Sequence, residues 1–243
     1  MTLSCIMVTA MAFVSGNDLD TVLEQANAAA DAGDLDNAIA SYQSIVDAEP
    51  SASGAWFNLG NAALQSDQIG RAIAAYRTAA ALAPRDAAVA NNLTLARKSV
   101  NDSTPLSEPN ALTRLILFWH YQLSLAELGW IALLASVLCW GAALALNRFP
   151  SLGTVAKILG CIVLVTVFAS WAIRTAFPTT IAVVSRDEAP VRTHTDRRAD
   201  VRFTADEGAE LRWHDVSGVW IRVARADGAQ GWIHRDDVHL LSL

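Results

Sequence analysis

The sequence has few charged residues, few cysteines and no excess of basic residues. Only 17% of its 243 residues are charged, whereas 53% are hydrophobic, which excludes intrinsic disorder and fibrous repeats. Eighteen Lys and Arg stand against 24 Asp and Glu, so the net charge of -6 provides no cationic excess for binding a nucleic-acid backbone. Three cysteines are too few for a disulfide framework or a four-cysteine zinc site.

Charge is distributed unevenly and divides the chain into three predicted modules. Residues 17–110 hold 12 Asp and Glu against 5 Lys and Arg, residues 111–180 hold 1 against 4, and residues 181–243 hold 11 against 9. Pro105 and Pro178 fall near the joints between these stretches, and proline ends helices. The sequence therefore predicts a multidomain chain.

Residues 1–16 are apolar and are followed by a polar stretch that begins at Asn17. Signal peptides combine a basic start, an apolar run and a small-residue cleavage site. The apolar run is present and Ala10-Met11-Ala12 offers small residues, but no Lys or Arg precedes it. We expect a candidate signal peptide here, with a start codon further upstream or a buried capping helix as the alternatives.

A period of 34 residues relates two stretches of the acidic module. Identical residues recur at this interval: Ala38 and Ala72, Ile39 and Ile73, Tyr42 and Tyr76, Pro50 and Pro84. A fixed period of this length predicts a repeat protein. The second copy resembles the tetratricopeptide repeat, whose Trp, Leu and Gly in the first helix and Ala, aromatic residue and Pro in the second are matched by Trp56, Leu59, Gly60, Ala72, Tyr76 and Pro84.

The resemblance implies an all-α solenoid over residues 17–104, with repeats at 19–52 and 53–86 and a solvating cap helix at 87–100. The small residue Gly60 is expected where the two helices of the second repeat cross, because a larger side chain would hold their backbones apart. Larger apolar residues then fill the volume around the crossing. Two repeats and a cap are about the smallest array that buries a continuous core.

Tetratricopeptide arrays hold protein segments in the groove formed by their first helices. Counting from the motif, this groove is predicted to receive Leu23, Asn27, Phe57, Asn58, Asn61 and Asn91. Asn27 and Asn61 lie one repeat apart, and an amide can both donate to and accept from the backbone of an extended ligand. The alternative is that these asparagines only face water. The acidic charge of the module favours a neutral or basic partner.

Residues 111–176 are predicted to be the membrane region, with spans at about 125–146 and 152–173. Each run has one charged residue, Glu127 or Lys157, near one of its ends, and each is long enough to cross the roughly 30 Å hydrocarbon core of a bilayer. Ser124, three residues before Glu127, has the spacing of a capping box. Residues 111–121 mix apolar and basic residues, which predicts a segment along the membrane surface.

The turn between the two spans carries Arg148 without an acid, and Lys157 follows soon after it. The positive-inside rule therefore predicts a cytoplasmic turn, with both flanking modules on the other side, which in a bacterium is the periplasm. Cys139 and Cys161 are interpreted as small apolar fillers. We expect the pair of spans to be an inert anchor rather than a transport path.

Residues 181–243 show short apolar alternations separated by turns, which predict a small all-β barrel. Asp227-Gly228 is a hairpin signal. The runs EGAEL, GVWIRV and DGAQGWI resemble the bacterial SH3 domain, in which Trp220, Gly231 and Trp232 would be structural. The family's Asn and Gly-Pro are replaced by Pro190 and the segment 193–195, which argues against a ligand site in that loop.

No enzymatic or metal chemistry is predicted for this chain. The spacing of His194, His214, His234 and His239 matches no ligand motif, and no thiol lies near them in sequence. A wall hydrolase would need a Cys/His or metal domain, and every cysteine lies in an apolar run. We therefore expect no catalytic, metal or cofactor-binding residue and no cofactor.

The order of tetratricopeptide array, two-span hairpin and SH3-like barrel resembles the membrane proteins of bacterial aerotolerance (Bat-type) operons. This resemblance implies a non-enzymatic adaptor in an envelope complex for stress tolerance or protein maturation. Its implied neighbours are a MoxR-type ATPase and membrane-bound von Willebrand A-type proteins. The alternative is a cell-wall sensor whose barrel binds peptidoglycan peptides.

Overall fold

The computed structural model describes residues 16–100, 106, 122–145, 150–176 and 180–242. The helices and strands follow in this order: α1 Gly16–Asp31, α2 Leu35–Ala48, α3 Ser53–Gln65, α4 Ile69–Leu82, α5 Ala87–Lys98, α6 Leu125–Ala145, α7 Pro150–Ala176, β1 Thr180–Val184, β2 Ala189–Arg192, β3 Val201–Ala205, β4 Glu210–Ser217, β5 Trp220–Ala224, β6 Gln230–His234 and β7 Val238–Ser242. A 3₁₀ turn at Arg235–Asp237 precedes β7.

The first five helices form a helical repeat region, as the 34-residue period predicts. Gly33 adopts a φ of +77° in the turn between α1 and α2, a conformation that glycine reaches without steric cost. Asp34 caps α2 by accepting the N–H of Asn37, and Asp86 caps α5 in the same way. Tyr42 and Leu59 lie in one apolar cluster that joins α1, α2 and α3.

The C-terminal region is a seven-stranded sheet in the order β3-β2-β6-β5-β4-β1-β7. Every strand pair is antiparallel. The predicted hairpin signal lies between β5 and β6, where Gly228 adopts a φ of +90° and Asp227 accepts the N–H of Ala229. The strand-rich prediction for this part of the chain is therefore confirmed.

The repeat region and the sheet share a hydrophobic core. Successive side chains of β1 point to opposite faces of the sheet, as in any strand, but here both faces are buried. Ile181 and Val183 join the cluster of α4 and α5 that contains Ile73, whereas Ala182 and Val184 join the cluster inside the sheet. The charge distribution predicted separate modules here, but the repeat region and the sheet pack against each other.

The helices α6 and α7 pack side by side. The capping box predicted for α6 is present: Ser124 N–H donates to Glu127 Oε2 at 2.9 Å, and Glu127 N–H donates to Ser124 Oγ at 3.2 Å. Arg85, in the turn between α4 and α5, forms an ion pair with Glu127. Among the residues that the structure describes, no helix is both long enough and apolar enough to cross a lipid bilayer.

Three predicted features lie outside the described residues. They are the candidate signal peptide up to residue 15, the surface segment 111–121, and residues 147–149 of the turn predicted to be cytoplasmic.

Candidate functional site: the concave face of the repeats

The first helices α1, α3 and α5 carry the residues predicted to line the groove. Asn27 and Asn91 are exposed, whereas Leu23, Asn58 and Asn61 are partly buried. Phe57 is also partly buried, and its ring packs on Tyr76 of α4 with centroids 6.0 Å apart. The face therefore combines polar amides with a limited apolar surface.

Asn27 takes part in a hydrogen-bond chain that connects three helices. Its Oδ1 accepts from the hydroxyl of Tyr42 at 2.6 Å and from Nδ2 of Asn58 at 3.5 Å. Tyr42 belongs to α2 and Asn58 to α3, so this single oxygen joins the second helix of repeat 1 to the first helix of repeat 2.

Asn61 repeats this arrangement one unit later. Its Oδ1 accepts from the hydroxyl of Tyr76 at 2.8 Å and from Nδ2 of Asn92 at 2.8 Å. The two chains share the same sequence separations, 15 residues to the tyrosine and 31 to the second asparagine. We call the six residues Asn27, Tyr42, Asn58, Asn61, Tyr76 and Asn92 the asparagine–tyrosine ladder.

The ladder gives the asparagines a role that the sequence analysis did not predict. Burial raises the pKa of Tyr76, and a hydrogen bond from Asn92 only partly opposes this. Burial and the charge of Asp31 raise the pKa of Tyr42. Both hydroxyls therefore stay protonated at neutral pH and donate. The carbonyl oxygens of Asn27 and Asn61 are occupied within the fold, so these residues align the first helices.

Among the residues that define the second repeat, Gly60 and Tyr76 lie where α3 and α4 cross. A Cβ built on Gly60 would lie 2.6 Å from the ring of Tyr76, so the close approach involves this ring. Leu59 and Ala72 are buried beside it. Trp56 packs against the repeat 1 cluster and donates its indole N–H to Pro50 O at 3.0 Å. Pro84 lies between α4 and α5.

The outer side of α4 is covered by the C-terminal sheet. Glu210 of β4 forms ion pairs with Arg77 of α4 and Arg97 of α5, the latter at 2.8 Å. Burial alone would raise the pKa of Glu210, but the hydrogen bonds and charges of Arg97 and Arg77 outweigh it and hold the pKa below its usual value. The carboxylate therefore remains charged at the contact.

Two glycines allow the backbones to approach at this contact. A Cβ on Gly70, in the first turn of α4, would clash with the carbonyl oxygen of Val184, while its N–H donates to Glu207 Oε1 at 2.9 Å. Gly208 adopts a φ of +82°, and a Cβ there would lie 2.7 Å from the side chain of Val100. We call this surface the repeat–sheet interface.

In the sheet, the three residues predicted to be structural occupy neighbouring strands. Trp220 is 8% exposed and meets His234 edge to face, with ring centroids 5.4 Å apart. A Cβ on Gly231 would lie 2.6 Å from the side chain of Val191. Trp232 is partly buried. Among the described residues, no three His, Cys, Asp or Glu side chains are grouped closely enough to hold a metal ion.

On α5, Asn91 was the predicted groove residue, but Asn92 is the residue that joins the ladder. The signal was available, because Asn92 follows Asn58 by one repeat of 34 residues. By the same spacing, Glu24 stands in repeat 1 where these two asparagines stand later. No earlier repeat is described before α1 to which Glu24 could bond.

Comparison with known proteins identifies the repeat. Residues 23–87 match the profile of the tetratricopeptide repeat family. No curated protein matches the chain. A solved chain from a structure described as the "CopN-Scc3 complex" is 22% identical with a TM-score of 0.30; the alignment covers 37% of the present chain and 64% of the other. The family match shows that the repeat region is of the tetratricopeptide type, a class that generally serves as a non-enzymatic adaptor between proteins.

Proposed function

We propose that this protein is an adaptor that holds an extended, basic segment of a partner protein on the concave face of its repeats. The observation that carries the proposal is the ladder, which fixes the spacing of α1, α3 and α5 through hydrogen bonds between them. A face that is already ordered does not lose conformational entropy on binding, and this favours affinity.

The partner's charge is inferred from α1. Asp20, Glu24 and Asp31 are exposed and stand 34 residues before Gly54, Asn58 and Gln65 of α3. The first repeat is therefore acidic at positions where the second is neutral. Complementary charge guides association and selects partners, so Lys or Arg side chains fit this end of the groove.

Groove binding is tested by site-specific photocrosslinking in the full chain. A benzoylphenylalanine at Phe57 should capture the partner, whereas the same residue at Leu95, which is exposed on α5, should capture it much less. Glu24→Gln should weaken capture at Phe57 and reduce its dependence on salt. The matched control Glu49→Gln removes one exposed carboxylate at the end of α2 and should leave capture unchanged. Equal capture at the two positions would refute the proposal that the partner binds in the groove.

Attachment to the bacterial inner membrane is part of the proposal. Large apolar side chains are exposed along α6 and α7, including Trp130 and Trp140 at 71% and Val165 at 66%. Contiguous apolar patches of this kind mark interaction or membrane surfaces. A lipid bilayer is the environment we propose for them, with the turn of the hairpin in the cytoplasm and the repeats and sheet in the periplasm.

Topology is tested with single cysteines in a background in which Cys5, Cys139 and Cys161 are replaced. Ala226→Cys, in the exposed turn before β6, should react with an impermeant maleimide on intact spheroplasts, and Ser151→Cys should react only after lysis. Reaction at both positions on intact spheroplasts would mean that the hairpin does not cross the bilayer.

A MoxR-type ATPase and von Willebrand A-type membrane proteins are the partners we propose, in a complex for aerotolerance or protein maturation. Purification in mild detergent should recover the von Willebrand A-type proteins, and Glu24→Gln should reduce their recovery. The second candidate is a sensor whose SH3-like sheet binds peptidoglycan peptides. Recovery of wall fragments without these proteins would favour the sensor.

A further inference from the structure

A cavity of about 230 Å³ opens at the C-terminal sheet, away from the groove residues described above. Three guanidinium groups line it, from Arg186, Arg192 and Arg197, together with the rings of Trp220 and His234. The arginines come from the turn after β1, from β2 and from the loop between β2 and β3. The fold therefore gathers cationic side chains from three segments around one small volume.

The arginines are held in place mainly by uncharged partners. Arg192 donates from Nη1 to the carbonyl oxygen of Ala199 at 2.7 Å, which ties the loop to β2. Nη2 of Arg197 lies 3.3 Å from Nε2 of His234, whose ring meets Trp220. A guanidinium has five N–H donors, so these contacts leave several of them for a ligand.

The charges in the wall do not cancel. Asp237 pairs with Arg186 at 2.9 Å, and Asp236 lies 3.4 Å from Nδ1 of His234 with its side chain 83% exposed. Arg192 and Arg197 have no carboxylate partner within the described part of the chain. Three guanidinium groups and two carboxylates line the cavity, so an anion entering it would meet an excess of one positive charge and two guanidinium groups that form no ion pair with a described residue.

We propose that this cavity binds the carboxylate of a small organic acid or of a peptide end. Arg192 and Arg197 donate to the carboxylate, whose two oxygens match the fork of a guanidinium. Pro190 and Trp220 offer apolar wall for a small attached group. The carboxylates of Asp236 and Asp237 disfavour a doubly charged phosphate.

This proposal goes beyond the adaptor function and does not depend on the groove. The test titrates the full chain in mild detergent with acetyl-alanyl-alanine by calorimetry. The C-terminal amide of the same peptide lacks the negative charge and should bind at least about tenfold more weakly. Inorganic phosphate should also bind more weakly than the peptide acid. A titration with acetate distinguishes the two kinds of ligand. If acetate binds about as tightly as the dipeptide, the ligand is a free small acid; if acetate binds much more weakly, the ligand is a peptide end.

Arg197→Gln removes one guanidinium from an exposed loop and should weaken the dipeptide about tenfold. The matched control, Arg198→Gln, changes the charge equally at the next residue, which does not line the cavity, and should alter affinity less than about twofold. Three results would overturn the proposal: no binding of the dipeptide, equal binding of acid and amide, or equal loss in the two variants. The comparison of acid and amide needs no variant, so it holds even if a substitution disturbs the loop.

Discussion

The two repeats are alike inside and differ on their outer helices. Each contains the same asparagine–tyrosine contacts at the same separations. On the outside, however, Asp36 and Gln43 of α2 correspond to Gly70 and Arg77 of α4. Of these two outer helices, only α4 meets the sheet, and Gly70 and Arg77 are among its contacts there. One repeat unit can therefore keep its internal contacts while a few outer positions turn it into a docking surface.

Gly60→Leu should have the largest effect, because it acts on the shared interior. The added side chain would enter the space of the Tyr76 ring, and overpacking of a core costs about 1 to 3 kcal/mol. Chemical denaturation of the full chain, followed by circular dichroism, measures the loss. Gly54→Leu is the control, because a Cβ there meets nothing within 4 Å. An unchanged unfolding midpoint for Gly60→Leu would show that the crossing is not close.

Gly70→Asp gives repeat 2 the outer residue of repeat 1 and should disrupt docking. Its Cβ would clash with Val184 O, so we expect a loss of about 2 kcal/mol and faster proteolysis between the repeats and the sheet. The reciprocal Asp36→Gly concerns an exposed position outside the interface and should cost less, through helix propensity alone. Similar protease sensitivity in both variants would mean that the outer faces do not differ as described.

Glu210→Gln should cost about 1.5 kcal/mol, the lower end of the range for hydrogen bonds to charged groups, because the amide oxygen of Gln can still accept from one arginine. It should also change the pH dependence. The pKa of Glu210 is lowered in the folded state, so the unfolded chain binds more protons as pH falls, and the free energy of unfolding decreases below the ordinary Glu pKa. Burial, and then the charge of Arg71, lower the pKa of His239 on β7, which acts in the same direction at higher pH.

Denaturation between pH 7 and pH 4 distinguishes the two groups. Glu210→Gln should flatten the acid end of the stability profile, and His239→Gln should flatten the part nearer neutral pH. A parent chain whose stability is constant over this range would contradict the charged contact.

The smallest expected effects come from the ladder itself. Asn61→Ala removes the acceptor of a buried tyrosine hydroxyl and should cost about 1 kcal/mol. Asn27 is exposed, so water can replace its oxygen and Asn27→Ala should cost less. Thermal melts of the two variants and of the double variant measure both terms. If Asn27→Ala lowered the melting temperature more than Asn61→Ala, the contact in repeat 1 would be the stronger of the two, contrary to this expectation.

The sequence predicted what depends on local spacing. The 34-residue period, the hairpin at Asp227-Gly228 and the capping box at Ser124 are patterns within short stretches of the chain, and each could be recognised in the sequence. The packing of the sheet on the repeats was not predicted. It depends on pairs such as Arg77 and Glu210, which lie 133 residues apart and do not recur with the repeat period. The apolar run of β1 was a sign of this packing in the sequence, because a strand that is buried on both faces lacks the alternation of apolar and polar residues.

The hydrogen bonds of the ladder could not be predicted from the 34-residue period alone. A 34-residue offset shows that two asparagines occupy equivalent places, but it does not show which atoms are already bonded. Asn91 and Asn92 are neighbours in sequence, and the period shows only that Asn92, rather than Asn91, is equivalent to Asn58.

The double burial of β1 has a consequence for how the molecule unfolds. A shift of one residue in this strand would exchange Ile181 and Val183 with Ala182 and Val184, so both hydrophobic clusters would lose their packing together. The strand therefore acts as a mechanical link: force or heat that extracts it exposes both cores in one event. Repeat 2 and the sheet should consequently melt as one cooperative unit, and either fragment alone would carry an uncovered apolar face.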